Sequence, residues 1–192
     1  QFVSVLYSIV DRMFIGHIPE VGALALAGAG VCGPTVTLVA AFSFWIGCGG
    51  APLMSIRLGQ RDERSAGRIM SCCFSLLLLF SAVLMLLLIP LRTPLLRLFG
   101  ASDVTLPYAV SYFTLYLLGT PFALLSGGMN QLIICQGFAR VGMKSVLLGA
   151  VLNIVLDPVF IFGLGMGVRG AALATVLSQM ASCTYVLRFL RG

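Results

Sequence analysis

Ser145–Val168, SVLLGAVLNIVLDPVFIFGLGMGV, carries one ionisable side chain, Asp157. Around it the residues read Asn153-Ile154-Val155-Leu156-Asp157-Pro158. A helix needs about 20 apolar residues to cross the hydrocarbon core of a bilayer, and this stretch supplies them. A carboxylate at such depth is costly, by roughly 2.5–3.5 kcal/mol on insertion scales. By default it marks an ion or proton pathway.

The rest of the chain has the same character. Of 192 residues, 59% are hydrophobic and 9% charged, with a mean hydropathy of +1.07. A soluble domain carries about 25% charged residues. No charge occurs between Glu20 and Arg57, between Arg68 and Arg92, or between Asp103 and Arg140. The apolar runs are continuous rather than alternating, which argues against a barrel. The expected fold is all-α, a polytopic membrane bundle of six transmembrane helices. They cover about Gln1 to His17, Ala23 to Ser55 (long enough for a tilted or kinked helix), Ile69 to Ile89, Pro107 to Ile134, Ser145 to Phe162 and Gly170 to Leu190. The chain opens on Gln1 and its first apolar run is short. The expectation is a fragment whose first helix has lost its start.

Basic residues orient the bundle. Arg57, Arg61, Arg64, Arg68, Arg140, Lys144, Arg188 and Arg191 fall on one side, and Arg92, Arg97 and Arg169 on the other. The richer side faces the cytoplasm. The expected location is a plasma membrane, the cytoplasmic membrane of a prokaryote. The net charge of +6 lies at helix ends. Membrane lipids are therefore expected partners and nucleic acid is not. The six cysteines form no Cys-x-x-Cys pair and read as small apolar residues. No nucleophile–base pair is visible, so neither an enzyme nor a cofactor is expected. Gly165-x-Gly167-x-x-Gly170 matches the dinucleotide fingerprint as a string, but a membrane-like run precedes it and no acidic residue follows. It reads as an external turn.

Several features read as packing. Pro34, Pro52, Pro121 and Pro158 interrupt helices, each freeing a carbonyl four residues earlier. Ala25, Ala29 and Gly33 form a stripe of small residues suited to close helix contact. Trp45 is expected to pack against a helix and His17 to sit at the membrane interface. Pro90 to Pro107 is too short and polar to span. Leu91, Leu95, Leu98 and Phe99 recur there at helical spacing, as in a segment lying on the outer surface.

Helical spacing puts Gly149, Asn153 and Asp157 on one face, one turn apart. Asp157 precedes Gly163 by six residues, about 9 Å below the outer boundary. Asp11 precedes His17 by a similar interval, and Thr175 follows Arg169 by one. Three helices thus bring two carboxylates, an amide and a hydroxyl to one level, all oxygen donors of the kind a hard cation prefers. Two carboxylates in a poorly solvated niche cannot both ionise cheaply, so the pair can hold a proton or attract Na+. Pro158 distorts the helix beside Asp157 and frees the carbonyl of Ile154. The competing reading is structural. Asn153 and Asp157 would cap a broken helix, Asp11 would pair with Arg12, and Thr175 would bond its own helix backbone.

Val10-Asp11-Arg12-Met13-Phe14-Ile15-Gly16-His17 resembles the first-helix signature of the multidrug and toxic compound extrusion (MATE) transporters. Asn153 to Gly163 and Gly167 to Thr175 are similar to that family's fifth and sixth helices, and Leu58-Gly59-Gln60 and Leu98-Phe99-Gly100-Ala101 also fit. The resemblance implies that residues 1–192 form the amino-terminal lobe of a twelve-helix transporter whose carboxy-terminal lobe is absent. It implies secondary antiport, the export of organic, often cationic, compounds in exchange for H+ or Na+. In prokaryotic relatives a cation site uses an Asp of the first helix, an Asn and an Asp of the fifth and a Thr of the sixth. These fall on Asp11, Asn153, Asp157 and Thr175. The alternatives are a lipid-linked glycan flippase of related architecture, and a non-transporting membrane scaffold or truncated product.

Overall fold

The computed structural model describes the backbone of residues 2–191 and the side chains of residues 6–191. Among the described residues it is all helical. The helices are α1 (Phe2–Gly16), α2 (Gly22–Val31), α3 (Gly33–Gly59), α4 (Glu63–Leu98), α5 (Leu106–Leu118), α6 (Thr120–Cys135), α7 (Ala139–Pro158) and α8 (Val168–Arg191), with a π-helical turn, Val159–Gly163, closing α7. They fall into six groups that correspond to the six expected spans, two of which are broken. Cys32 interrupts the second but keeps helical dihedrals (φ −74°, ψ −16°), so α2 runs on into α3. Gly119 interrupts the fourth, and α5 and α6 meet there at a 54° bend, with Pro121 opening the second half.

By length and composition α3, α4, α7 with its π turn, and α8 can each cross a membrane, as can the bent α5–α6 pair. The distribution of side chains agrees. Large apolar residues face outward on every pass, including Leu86 (78% exposed) on α4 and Trp45 (66%) on α3. Polar residues such as Ser43, Asn130, Ser145, Asn153 and Asp157 are buried. A protein in water shows the reverse bias. Lipid tails accept the apolar exterior, and the buried polar groups hold helices together or serve the interior.

The third pass exceeds its expected limits. The spacing seen beyond Pro90 is not a separate surface segment, because α4 continues through Pro90 and Pro94 to Leu98. Each proline removes one backbone bond. Both lie on the exposed side, so the freed carbonyls do not disturb the buried row Leu84, Leu88 and Leu96. At 36 residues α4 is about 54 Å long, well beyond a hydrocarbon core of about 30 Å.

Two packing expectations change. The close-contact face of α2 is Gly22, Ala25 and Gly28, continued by Cys32, rather than Ala25, Ala29 and Gly33. A Cβ at Gly28 would meet the backbone of Ala109 at 3.0 Å, whereas one at Gly33 would meet nothing. The stripe follows the 3.6-residue period as it turns toward α5. Trp45 does pack, edge-on against Phe42 and Phe80 with centroids 6.4 and 6.3 Å away, but on the outer surface across α3 and α4.

The loop ends are locally determined. Gly165 (φ 63°) and Gly167 (φ 56°) take left-handed conformations between the π turn and α8, so this glycine string is a turn. On the basic-rich side, the Asp62 carboxylate caps α4 by accepting from the Ser65 backbone N–H at 3.0 Å. Ser65, through its hydroxyl and its N–H, holds the Asp62 carboxyl below the usual carboxylate range. The cap's contribution is therefore present above about pH 3.9 and is lost as pH falls through the lowered value. In Asp62→Ala the Ser65 amide should exchange faster at neutral pH, and the difference from wild type should vanish in acid.

Candidate functional site

The helices enclose a cavity of about 430 Å³ walled by α1, α3, α5, α6, α7 and α8. Of the helices that wall it, α1 and α3 pass with almost no contact between them. Asp11 is the sole charged residue in its described wall, and the other polar groups there are hydroxyls and amides. No Lys or Arg lines it.

At one end of the cavity α1, α7 and α8 converge. α7 is held against α8 by a close approach at Gly149, where a Cβ would fall 2.5 Å from Ser182 Oγ. α1 packs along α7, and Phe14 meets Phe162 of the π turn edge-on at 6.4 Å. Asn153 and Asp157, one turn apart on α7, are both buried, at 2% and 0% exposure. The Asn153 amide points at both neighbours. Its Nδ2 lies 3.4 Å from Asp157 Oδ1 and 3.3 Å from Thr175 Oγ1. Asp11 and Asp157 are close enough for their carboxyl groups to interact directly. The structure thus brings Asp11, Asn153, Asp157 and Thr175 into one niche. Asp11, Asn153 and Thr175 line the cavity, and Asp157 sits behind them.

The structural alternatives fare unequally. Among the described residues the one ion pair is Arg97–Asp103, at 3.2 Å, so Asp11 and Arg12 are not bridged. Arg12 points outward. Thr175 does bond its own helix, donating to Ala171 O at 3.0 Å, while accepting from Asn153. Pro158 does distort its helix, since α-helix gives way to a π turn immediately after it. In that turn Leu164 N–H bonds Val159 O at 2.9 Å, one residue beyond α spacing.

Hydrogen-bond supply decides what the niche can do. Asp11 Oδ1, Asn153 Oδ1 and Asp157 Oδ2 are buried with no partner among the described residues. Buried polar groups are nearly always satisfied, so three orphaned oxygens at one point need an explanation. All three are acceptors, and two belong to carboxylates, which cannot donate to each other unless one is protonated. A proton, a water molecule or a small oxygen-seeking cation would each supply what is missing.

Other polar wall residues were not singled out in the sequence. Tyr112 and Tyr116 on α5 stack with centroids 6.5 Å apart, and Asn130, Ser145, Ser178, Gln179 and Ser182 line the rest of the cavity. A signal existed for some of them. Ser145, Gly149, Asn153 and Asp157 recur every fourth residue, and Thr175, Ser178 and Ser182 recur at three and four on α8. The tyrosines gave none, because an aromatic in a membrane helix usually faces lipid or interface.

Apolar helices long enough to cross a membrane, packed around a cavity whose one charged wall residue is acidic, define a multi-pass membrane protein. The MatE family model matches residues 1–159, and the chain belongs to that family. It is 28% identical over 192 residues to the multidrug export protein MepA of Staphylococcus haemolyticus (strain JCSC1435), covering 100% of this chain and 42% of the relative. It also resembles solved structures of a multidrug resistance MATE family transporter of the MOP superfamily. The outward-facing conformation superposes with a TM-score of 0.90 (29% identity, 98% of this chain, 41% of that one). The inward-facing conformation superposes with 0.91 (29% identity, 96% and 41%). The chain spans about two fifths of the length of these proteins, 42% of the MepA relative.

Proposed function

We propose that this chain is the amino-terminal lobe of a secondary antiporter that exports organic, often cationic, compounds in exchange for inward H+ or Na+. Asp11, Asn153, Asp157 and Thr175 form the coupling site, and Pro158 supplies the local helix distortion. The carrying observation is the facing carboxyl pair, buried beside a third orphaned oxygen in a cavity without a base. A cavity built for a lipid pyrophosphate would present cations instead, which ranks the flippase reading lower. The proposed location is the cytoplasmic membrane of a prokaryote, with the basic-rich loops inside.

With both carboxylates ionised the niche is repulsive within and attractive to a positive substrate. A proton or Na+ entering it relieves the repulsion and removes that attraction. The organic cation is then released, and the helices around Pro158 can repack. A ligand shifts a conformational equilibrium only by its differential affinity for the two states. The equal similarity to outward- and inward-facing structures supports a lobe that moves as a body, as rocking about a central site requires.

The test uses the full-length transporter in proteoliposomes, with the Na+ gradient and the pH gradient imposed separately. Efflux of a cationic dye should follow at least one gradient and stop when both are collapsed. Undiminished concentrative efflux with neither gradient rejects antiport.

A further inference from the structure

Away from the carboxyl pair the cavity continues along α7 and α8 to a floor three helical turns from Asp157. Ser145 marks the floor on α7. Twelve residues separate it from Asp157, about 18 Å of helix, too far for one hydrogen-bonded step. Three bonds are made there. Ser182 Oγ donates to Ser145 O at 2.9 Å. Ser145 Oγ donates to Gly142 O at 2.8 Å and lies 3.3 Å from Asn130 Oδ1. These contacts tie α6, α7 and α8, and a purely structural role accounts for them.

It does not account for Ser178. That residue lines the cavity at 4% exposure, and its hydroxyl has no partner among the described residues. The Oε1 of its neighbour Gln179 is buried and unpartnered in the same wall. A membrane serine normally bonds the carbonyl of its own previous turn, as Ser145 does here. Gly149, lacking a side chain, lets Ser182 and the Ser178 carbonyl approach α7 here. Buried polar groups left open toward a polar cavity are where water and hydrated ions bind.

We propose that Asn130, Ser145, Ser178 and Ser182 form a second subsite, a neutral oxygen cradle for the coupling cation and its water. It lies between the carboxyl pair and the basic-rich end of the bundle. The placement follows from the chain. Ser145 adjoins Lys144, and Ser182 lies six residues before Arg188. The absence of charge in this part of the wall suits a relay. Neutral hydroxyls and amides hold a hydrated monovalent cation weakly, so the ion that leaves the carboxylates is passed on rather than trapped. The inference rests on the antiport reading above, and it holds for a proton carried on water or for Na+ with part of its hydration shell.

The test again uses the full-length transporter in proteoliposomes. Ser178→Val should bind the substrate dye as wild type does and slow ion-coupled efflux by about tenfold or more, while Ser178→Thr, which restores the hydroxyl, stays within about twofold. Ser178→Cys should be modified by methanethiosulfonate ethylammonium above the background of the native cysteines, because apolar burial raises a thiol's pKa and a water-filled wall leaves the reactive thiolate accessible. A Ser178→Val protein with wild-type turnover, or an unreactive Ser178→Cys, overturns the proposal. If Ser178→Val does not fold, the cysteine result decides. Failure of the antiport reading is separately visible as full coupling in Asp157→Asn, an outcome that leaves the labelling of Ser178→Cys unchanged.

Discussion

Asp157→Asn should abolish ion-coupled efflux and, in the absence of coupling ions, make the protein more stable. Both effects come from the same atoms. Asparagine has the shape of aspartate, so the buried position is preserved. Its amide brings a donor to a niche where Asp11 Oδ1 has none. Satisfying an orphaned buried acceptor stabilises by about 1–3 kcal/mol. The like-charge pair disappears as well, along with half of the charge that attracts a cation. Unpairing a buried charge from its partner is worth roughly 3 kcal/mol or more, about a hundredfold in cation affinity. Thermal unfolding in detergent and dye efflux under an imposed gradient measure the two halves. A purely structural cap would lose stability on substitution, so a fall in both quantities, or intact coupling, sinks the assignment.

Gly47→Val should be strongly damaging although it lies outside the site. Gly47 sits where α3 crosses α6. A Cβ there would lie 2.9 Å from the carbonyl oxygen of Gly128 and 3.0 Å from Gln131 Cβ. The first neighbour is backbone and cannot rotate away. Gly128 is itself pressed by Leu77 of α4, whose methyls a Cβ would approach to 2.7 Å. Three helices share this crossing, so α3 can retreat only by opening the cavity wall. Overpacking costs typically about 1–3 kcal/mol and more where backbone must move. Gly49→Ala is the matched control, because nothing lies within 4 Å of its added Cβ, and it should stay within about 0.5 kcal/mol. The comparison is read as the yield and melting temperature of the purified protein. Equal behaviour of the two variants would show the crossing to be looser than described.

Much of the architecture was legible without coordinates. The charge-free intervals located the passes, because a bilayer tolerates few charges and demands about 20 apolar residues per crossing. The breaks were harder. Gly119 bends one pass by 54°, while Pro90 and Pro94 leave another unbroken. A proline costs one bond wherever it stands, and whether the helix continues depends on whether the freed carbonyl faces outward. The small-residue face of α2 was displaced by a few residues for a related reason. Several small residues satisfy a period of four, and the neighbour α5 selects among them.

The amino-acid order alone determined that this chain lies in a membrane and that Asn153 and Asp157 share a helix face. Apolar run length and helical pitch are local properties. Only tertiary packing decided that Asp11 meets Asp157, that Thr175 accepts from Asn153 while bonding its own backbone, and that Ser178 is left without a partner. Those outcomes depend on how closely helices distant in sequence approach, which is governed by glycines such as Gly47 and Gly149 and by the side chains opposite them.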